Sequence, residues 1–254
     1  MPCALPSLFR WKCQQSLATI RPMPRSKLFA YAQLMRLPNI FTAMADPLAG
    51  WFVVGGGAPA WHVLLLVGAS ACLYTSGIVF NDYFDYELDR LERPERPLPS
   101  GAISRPMAAW FGAALMACGL ALAAVVGVVA LGIAVFIAAM IFFYNAWAKR
   151  FAGLGPLVMG TCRFANFLLG MRCCPPRLWL GPAALGVYCT TLTWVARNEA
   201  INVKLRAVVK RMLLGIIVVD ALAVVLARGD LLGAGIVLSL LVPAFALGKV
   251  FPMT

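Results

Sequence analysis

Six of the ten acidic residues of this chain lie between Asp82 and Glu95, and four of them share the run Asn81-Asp82-Tyr83-Phe84-Asp85-Tyr86-Glu87-Leu88-Asp89. On a helix turning about 100° per residue, Asn81, Asp85 and Asp89 fall at about 0°, 40° and 80°, Asp82 at about 100°, and Glu87 at about 240°. Three carboxylates and an amide therefore share one face over two turns. Like charges stacked one turn apart repel, so this face calls for a positive partner. Mg²⁺ is the natural one, a hard cation held by one or two carboxylates with phosphate oxygens and water completing its shell. The plainer reading is a solvated acidic cap paired with neighbouring arginines. The chain continues Arg90-Leu91-Glu92-Arg93-Pro94-Glu95-Arg96-Pro97-Leu98-Pro99-Ser100-Gly101. Its prolines stop the helix and stiffen the segment that presents Arg93 and Arg96. Carboxylates beside forked guanidinium groups suit a metal-chelated diphosphate.

The elements that must hold these groups are membrane helices. Hydrophobic residues make up 62% of the 254 positions and charged residues 13%, against about 45–50% and about 25% in soluble domains. That balance excludes a soluble globular enzyme, a disordered protein and a nucleic-acid-binding module. A bilayer core needs roughly 20 apolar residues per helix, and eight stretches meet it, at about 37–56, 61–82, 106–126, 128–148, 151–171, 178–197, 208–227 and 230–249. Runs this long are helices rather than barrel strands. The short connections favour a single all-α bundle over residues 31–254, preceded by a basic, proline-bearing tail at 1–30 that reads as flexible.

The net charge of +12 could suggest nucleic acid, but its placement does not. With the N-terminus inside, Arg172, Arg177 and Arg228 are the basic residues outside and Arg163 lies within the apolar interior; all the other lysines and arginines are inside. This is the positive-inside pattern of a multi-pass protein in an inner or plasma membrane, with both termini cytoplasmic. The tail lacks the continuous apolar core of a secretory signal, though a transit peptide is a second reading. The eight cysteines form no CxxC pair, and His62 is the only histidine, so a Cys/His zinc site is not expected.

The run from Asn81 to Gly101 resembles the first signature of the UbiA superfamily of intramembrane prenyltransferases. Tyr144-Asn145-Ala146-Trp147-Ala148-Lys149-Arg150 is similar to the tyrosine-to-Lys-Arg element of that family. Met159-Gly160-Thr161-Cys162-Arg163-Phe164-Ala165-Asn166 and Asp46-Pro47 resemble its EboC-like branch. The likeness runs from about Arg36 to about Gly215. It implies a helical bundle around a lipid-accessible central cavity and transfer of a polyprenyl group from its diphosphate to an aromatic or other lipophilic acceptor, with Mg²⁺. By the resemblance, Asn81, Asp85 and Asp89 hold the metal, assisted by Asp82. Arg93, Arg96, Tyr144, Lys149 and Arg150 meet the diphosphate, and Asp85, Asp89 and Lys149 carry the catalysis.

Two departures stand out. The second acidic motif of the family is reduced to Arg197-Asn198-Glu199-Ala200-Ile201-Asn202, in which Glu199 is the lone acid. Glu199 is then the remaining ligand for a second metal, with Asn198 and Asn202 offering amide oxygens, or Arg197 replaces that metal as a fixed charge on the diphosphate. The family also commonly has nine helices, and eight are legible here. Within the apolar interior, Arg163 costs about 2.5–3.5 kcal/mol on insertion scales. It calls for Asp46 or Asp220 as a structural partner, or, with Asp46 and Asn166, forms a polar floor for an acceptor. A non-catalytic carrier, or an assembly or export component for a lipid-like metabolite, is the alternative to an enzyme.

Overall fold

The computed structural model describes residues 26–57, 59–172, 176–197 and 203–251. Most of the basic tail, together with Asn198, Glu199 and Asn202, lies outside the described residues. The order is α1 (Lys27–Leu34), α2 (Leu37–Val53), α3 (Ala60–Phe84), α4 (Tyr86–Glu92), α5 (Arg105–Val126), α6 (Val128–Ala146), α7 (Leu154–Met171), α8 (Leu180–Ala196), α9 (Val203–Arg228), α10 (Leu231–Ser239) and α11 (Leu241–Leu247). Each of the eight apolar stretches carries helix, and α1 already covers the end of the tail segment, capped by Ser26. By length and composition alone, α3, α5, α6 and α7 can cross a bilayer. The last stretch is divided into α10 and α11 because Pro243 has no N–H to donate to the carbonyl one turn back.

Large apolar side chains such as Trp110, Val128, Leu226 and Leu232 are exposed on the outside of the bundle, as a lipid-facing surface requires. The interior is built from small residues and aliphatic side chains. Phe167, Ile216, Ile217 and Val224 fill one cluster against α2, and Leu66, Leu73 and Met116 fill another between α3 and α5. Glycines decide how closely the helices approach. A Cβ on Gly170 would run into the Pro47 carbonyl, and one on Gly50 into that of Phe167, so α2 and α7 touch backbone to backbone. Gly170→Ala is therefore expected to lose at least the 1–3 kcal/mol typical of overpacking. Thermal melting in detergent checks it, and an unshifted midpoint would show that α2 and α7 can separate freely.

Successive long helices alternate in direction. The ends of α3, α6 and α8 and the starts of α2, α5, α7 and α9 consequently meet at one end of the bundle. That end gathers the acidic run, the Lys149 turn and Arg197.

Candidate active site

Helical hydrogen bonding continues through the kink at Asp85. The Asp85 amide donates to the Asn81 carbonyl, Asp89 to Asp85 and Arg93 to Asp89, at 2.8–2.9 Å. Asn81, Asp85 and Asp89 thus stay on one side, and all three line a cavity of about 470 Å³ between the helices. Glu87 points away, 71% exposed, beside Arg90 and Arg105. Asp82 is also turned from the cavity. It is buried and accepts from Arg36 Nη2 at 3.0 Å, with Arg96 Nη1 at 3.5 Å. Its place at the border of the acidic face puts it toward the α1–α2 junction, where Arg36 adopts a left-handed φ of 47°.

Each remaining carboxylate of the face meets a cation. Lys149 Nζ donates to Asp85 Oδ1 at 2.6 Å, and Arg96 Nη1 donates to Asp89 Oδ2 at 2.7 Å. Lys149 comes from the tight turn Ala148–Arg150 after α6. That turn is clamped from α8, where Arg197 Nη1 donates to the carbonyls of Lys149 and Phe151 at 2.8 and 3.3 Å. Arg93 lines the cavity and has no ion pair among the described residues. Tyr144 and Arg197 line it as well, whereas Arg150 is exposed and off its wall.

Asn145 was not legible as functional in the sequence. Its Nδ2 donates to the Ile141 carbonyl at 3.0 Å, which orients the amide, and its Oδ1 accepts from Asn81 Nδ2 at 3.0 Å. Asn81 Oδ1 is thereby left as the ligand-side acceptor. Arg36, likewise, reads in the sequence only as one more basic residue of the inner side. The signal available was its position directly before the Leu37-Pro38 start of α2.

Asn81 Oδ1, Asp85 and Asp89 are hard oxygen donors lining one cavity, which fits a divalent cation of the Mg²⁺ type. Among the described residues no three acids converge closely enough to hold a metal by themselves. A bound ion would therefore share its shell with ligand oxygens and water, as Mg²⁺ commonly does.

Below this rim the walls turn apolar, with Ile78, Ile141, Met159, Leu192 and Leu213. Deeper still is the second constellation. Arg163 Nη1 donates to Asp46 Oδ2 at 2.9 Å and to the Thr42 carbonyl at 3.0 Å, and Nη2 donates to Thr42 Oγ1 at 2.8 Å. Asn166 Nδ2 donates to Asp46 Oδ2 at 2.7 Å. Of the two acids open as partners for Arg163, Asp46 makes the ion pair. Asp220 is fully buried, and neither of its carboxyl oxygens has a hydrogen-bond partner among the described residues.

A model of the UbiA prenyltransferase family matches residues 44–252. Digeranylgeranylglyceryl phosphate synthase of Thermococcus kodakarensis is 34% identical over 142 residues, 56% of this chain and 51% of the relative. That of Thermococcus gammatolerans is 39% identical over 125 residues, 49% of this chain and 45% of the relative. The chain thus spans about half the length of the curated relatives it matches. A solved structure described as a UbiA homolog from Archaeoglobus fulgidus bound to DMAPP and Mg²⁺ superposes with a TM-score of 0.62 at 16% identity, covering 87% of this chain and 99% of that one. A structure concerning digeranylgeranylglyceryl phosphate synthase gives a TM-score of 0.62 at 21% identity, covering 89% of this chain and 97% of that one.

Proposed function

The chain belongs to the UbiA prenyltransferase family, and we propose that it transfers a polyprenyl group from a Mg²⁺-chelated diphosphate to a lipophilic acceptor within the membrane. The observation that carries this reading is the two-part cavity. Carboxylates and cations ring one end, and apolar walls begin directly below them. Such a cavity suits a ligand with a polyanionic head and a hydrocarbon tail.

Asn81, Asp85 and Asp89 would hold Mg²⁺, which supplies positive charge to the departing diphosphate. Arg93 is free to fork onto phosphate oxygens. Lys149 and Arg96 already stand on the carboxylates that face the cavity, and contacting the diphosphate requires them to turn from Asp85 and Asp89. Tyr144 borders the same space, and the apolar walls keep water from the allylic carbon. The inner placement of the rim cations supports an orientation with both termini cytoplasmic. The EboC-like assignment is supported by the meeting of its motif residues Asp46, Arg163 and Asn166 in one network.

Incubating the purified chain in lipid nanodiscs with labelled geranylgeranyl diphosphate, Mg²⁺ and a panel of acceptors tests the reading. Diphosphate release with a prenylated product is expected. Binding without release across the panel would favour a carrier.

Arg197 provides a separate check on the reduced second motif. Its grip on the Lys149 turn means that Arg197→Ala should weaken diphosphate affinity about ten- to a hundred-fold while leaving the Mg²⁺ concentration for half-saturation unchanged. A shift in that Mg²⁺ dependence would instead place Arg197 beside a metal. Titrating diphosphate at several Mg²⁺ concentrations separates the two.

A further inference from the structure

The floor of the cavity carries polar groups that diphosphate binding leaves unused. Arg163 and Asn166 are 6% and 7% exposed and both line the cavity. Arg163 holds Asp46 and Thr42 through its two terminal nitrogens and lies over the Tyr74 ring, 5.2 Å from its centroid. Its Nε–H is given to no acceptor among the described residues. Asn166 gives Nδ2 to Asp46 and to the Ala43 carbonyl, at 2.7 and 2.9 Å. The amide is thereby oriented, and Oδ1 remains as an acceptor.

A donor and an acceptor on side chains one helical turn apart, both lining the same cavity, form a hydrogen-bonding site. An apolar group set against them leaves both unpaired, and each unpaired group weakens binding about ten-fold or more. The charge at this depth is equally informative. Asp46 cancels the charge of Arg163, and the second carboxyl of the interior, Asp220, is fully buried and brings no cation with it among the described residues. The floor has no surplus positive charge to offer a phosphate, whereas the rim does. Rim and floor are also close. Tyr74 and Asn81 are seven residues apart on α3, which is about 10 Å along the axis.

We propose that the Arg163–Asn166 floor binds the polar group of the acceptor and selects a compact, uncharged, hydroxyl-bearing acceptor over a phosphate-bearing one. The hydroxyl sits on the floor and the nucleophilic atom, across a ring-sized body, faces the rim. This rests on the prenyltransferase reading in one respect, that an acceptor enters the same cavity.

The test uses the full chain in nanodiscs without donor, with affinities measured by ligand-observed NMR. Benzyl alcohol and ethylbenzene have nearly the same shape and differ in one hydroxyl. The alcohol is expected to bind at least ten-fold tighter, and Asn166→Leu to erase the difference. Phenyl phosphate binding should respond to Arg93→Ala and not to Asn166→Leu. Equal affinities for the two probes, or phenyl phosphate binding that depends on Asn166, overturns the proposal. Where Asn166→Leu does not fold, the wild-type ranking decides alone. Geranylgeranyl diphosphate with Mg²⁺ is titrated in parallel. Its failure to bind would sink the prenyltransferase reading, while its binding alongside a failed ranking would sink only the floor.

Discussion

Asp85→Ala is expected to abolish most Mg²⁺-dependent diphosphate binding, with a loss of about ten- to more than a hundred-fold. Asp85 is the central carboxylate of the cavity-lining face, between Asn81 and Asp89. The substitution has a second consequence with the opposite sign. Lys149 Nζ, 2.6 Å from Asp85 Oδ1, loses its partner and becomes an unpaired cation beside the diphosphate position. Metal-free binding of the diphosphate should therefore hold or rise while the Mg²⁺ response disappears. Titrations with Mg²⁺ and with a chelator read the two effects separately. A variant that melts like the wild type and retains its Mg²⁺ response would remove Asp85 from the metal site. Asp82→Ala should behave differently. Asp82 faces Arg36 and Arg96 at 3.0 and 3.5 Å, so its loss acts through the placement of those arginines and leaves the Mg²⁺ requirement in place.

Arg163→Met should produce the largest loss of stability in the molecule, about 3–5 kcal/mol. The substitution keeps the volume and removes the cation, leaving Asp46 fully buried with only Asn166 donating to it through a side chain. Asp220, also fully buried, adds no compensating charge. Arg163→Lys is not expected to rescue the fold. One ammonium cannot reproduce the guanidinium contacts to Asp46, the Thr42 carbonyl and the Thr42 hydroxyl together. The double substitution Arg163→Met with Asp46→Leu should recover much of the loss, because exchanging both charges for apolar groups of similar size is often neutral or stabilising. Thermal melts of the three variants in one detergent check this order. A single variant as stable as the wild type would mean that water or lipid headgroups reach Asp46.

Much of the architecture is written in the chain. Apolar length placed the eight helical stretches, because a bilayer core sets one ruler for every crossing segment. The helical period put Asn81, Asp85 and Asp89 on one face and Glu87 off it, since that angle follows from backbone geometry alone. The stiff proline segment brought Arg96 to Asp89 and Arg93 to the cavity within a few residues of the acids, where sequence distance and spatial distance nearly coincide.

The partners across helices were decided only by the folded structure. Asp82 belonged to the acidic face on the wheel, yet it turns to Arg36, 46 residues earlier. Lys149 reaches Asp85, Asn145 orients Asn81, and Arg197 secures the Lys149 turn rather than simply facing a ligand. Arg163 had two buried acids as candidate partners, and the backbone contact of α2 with α7 at Gly50 and Gly170 brought it to Asp46. A helical repeat specifies which side chains leave a helix together. Which neighbour they meet depends on how far each helix is rotated and shifted against the next, and that is set by close packing among residues far apart in the chain.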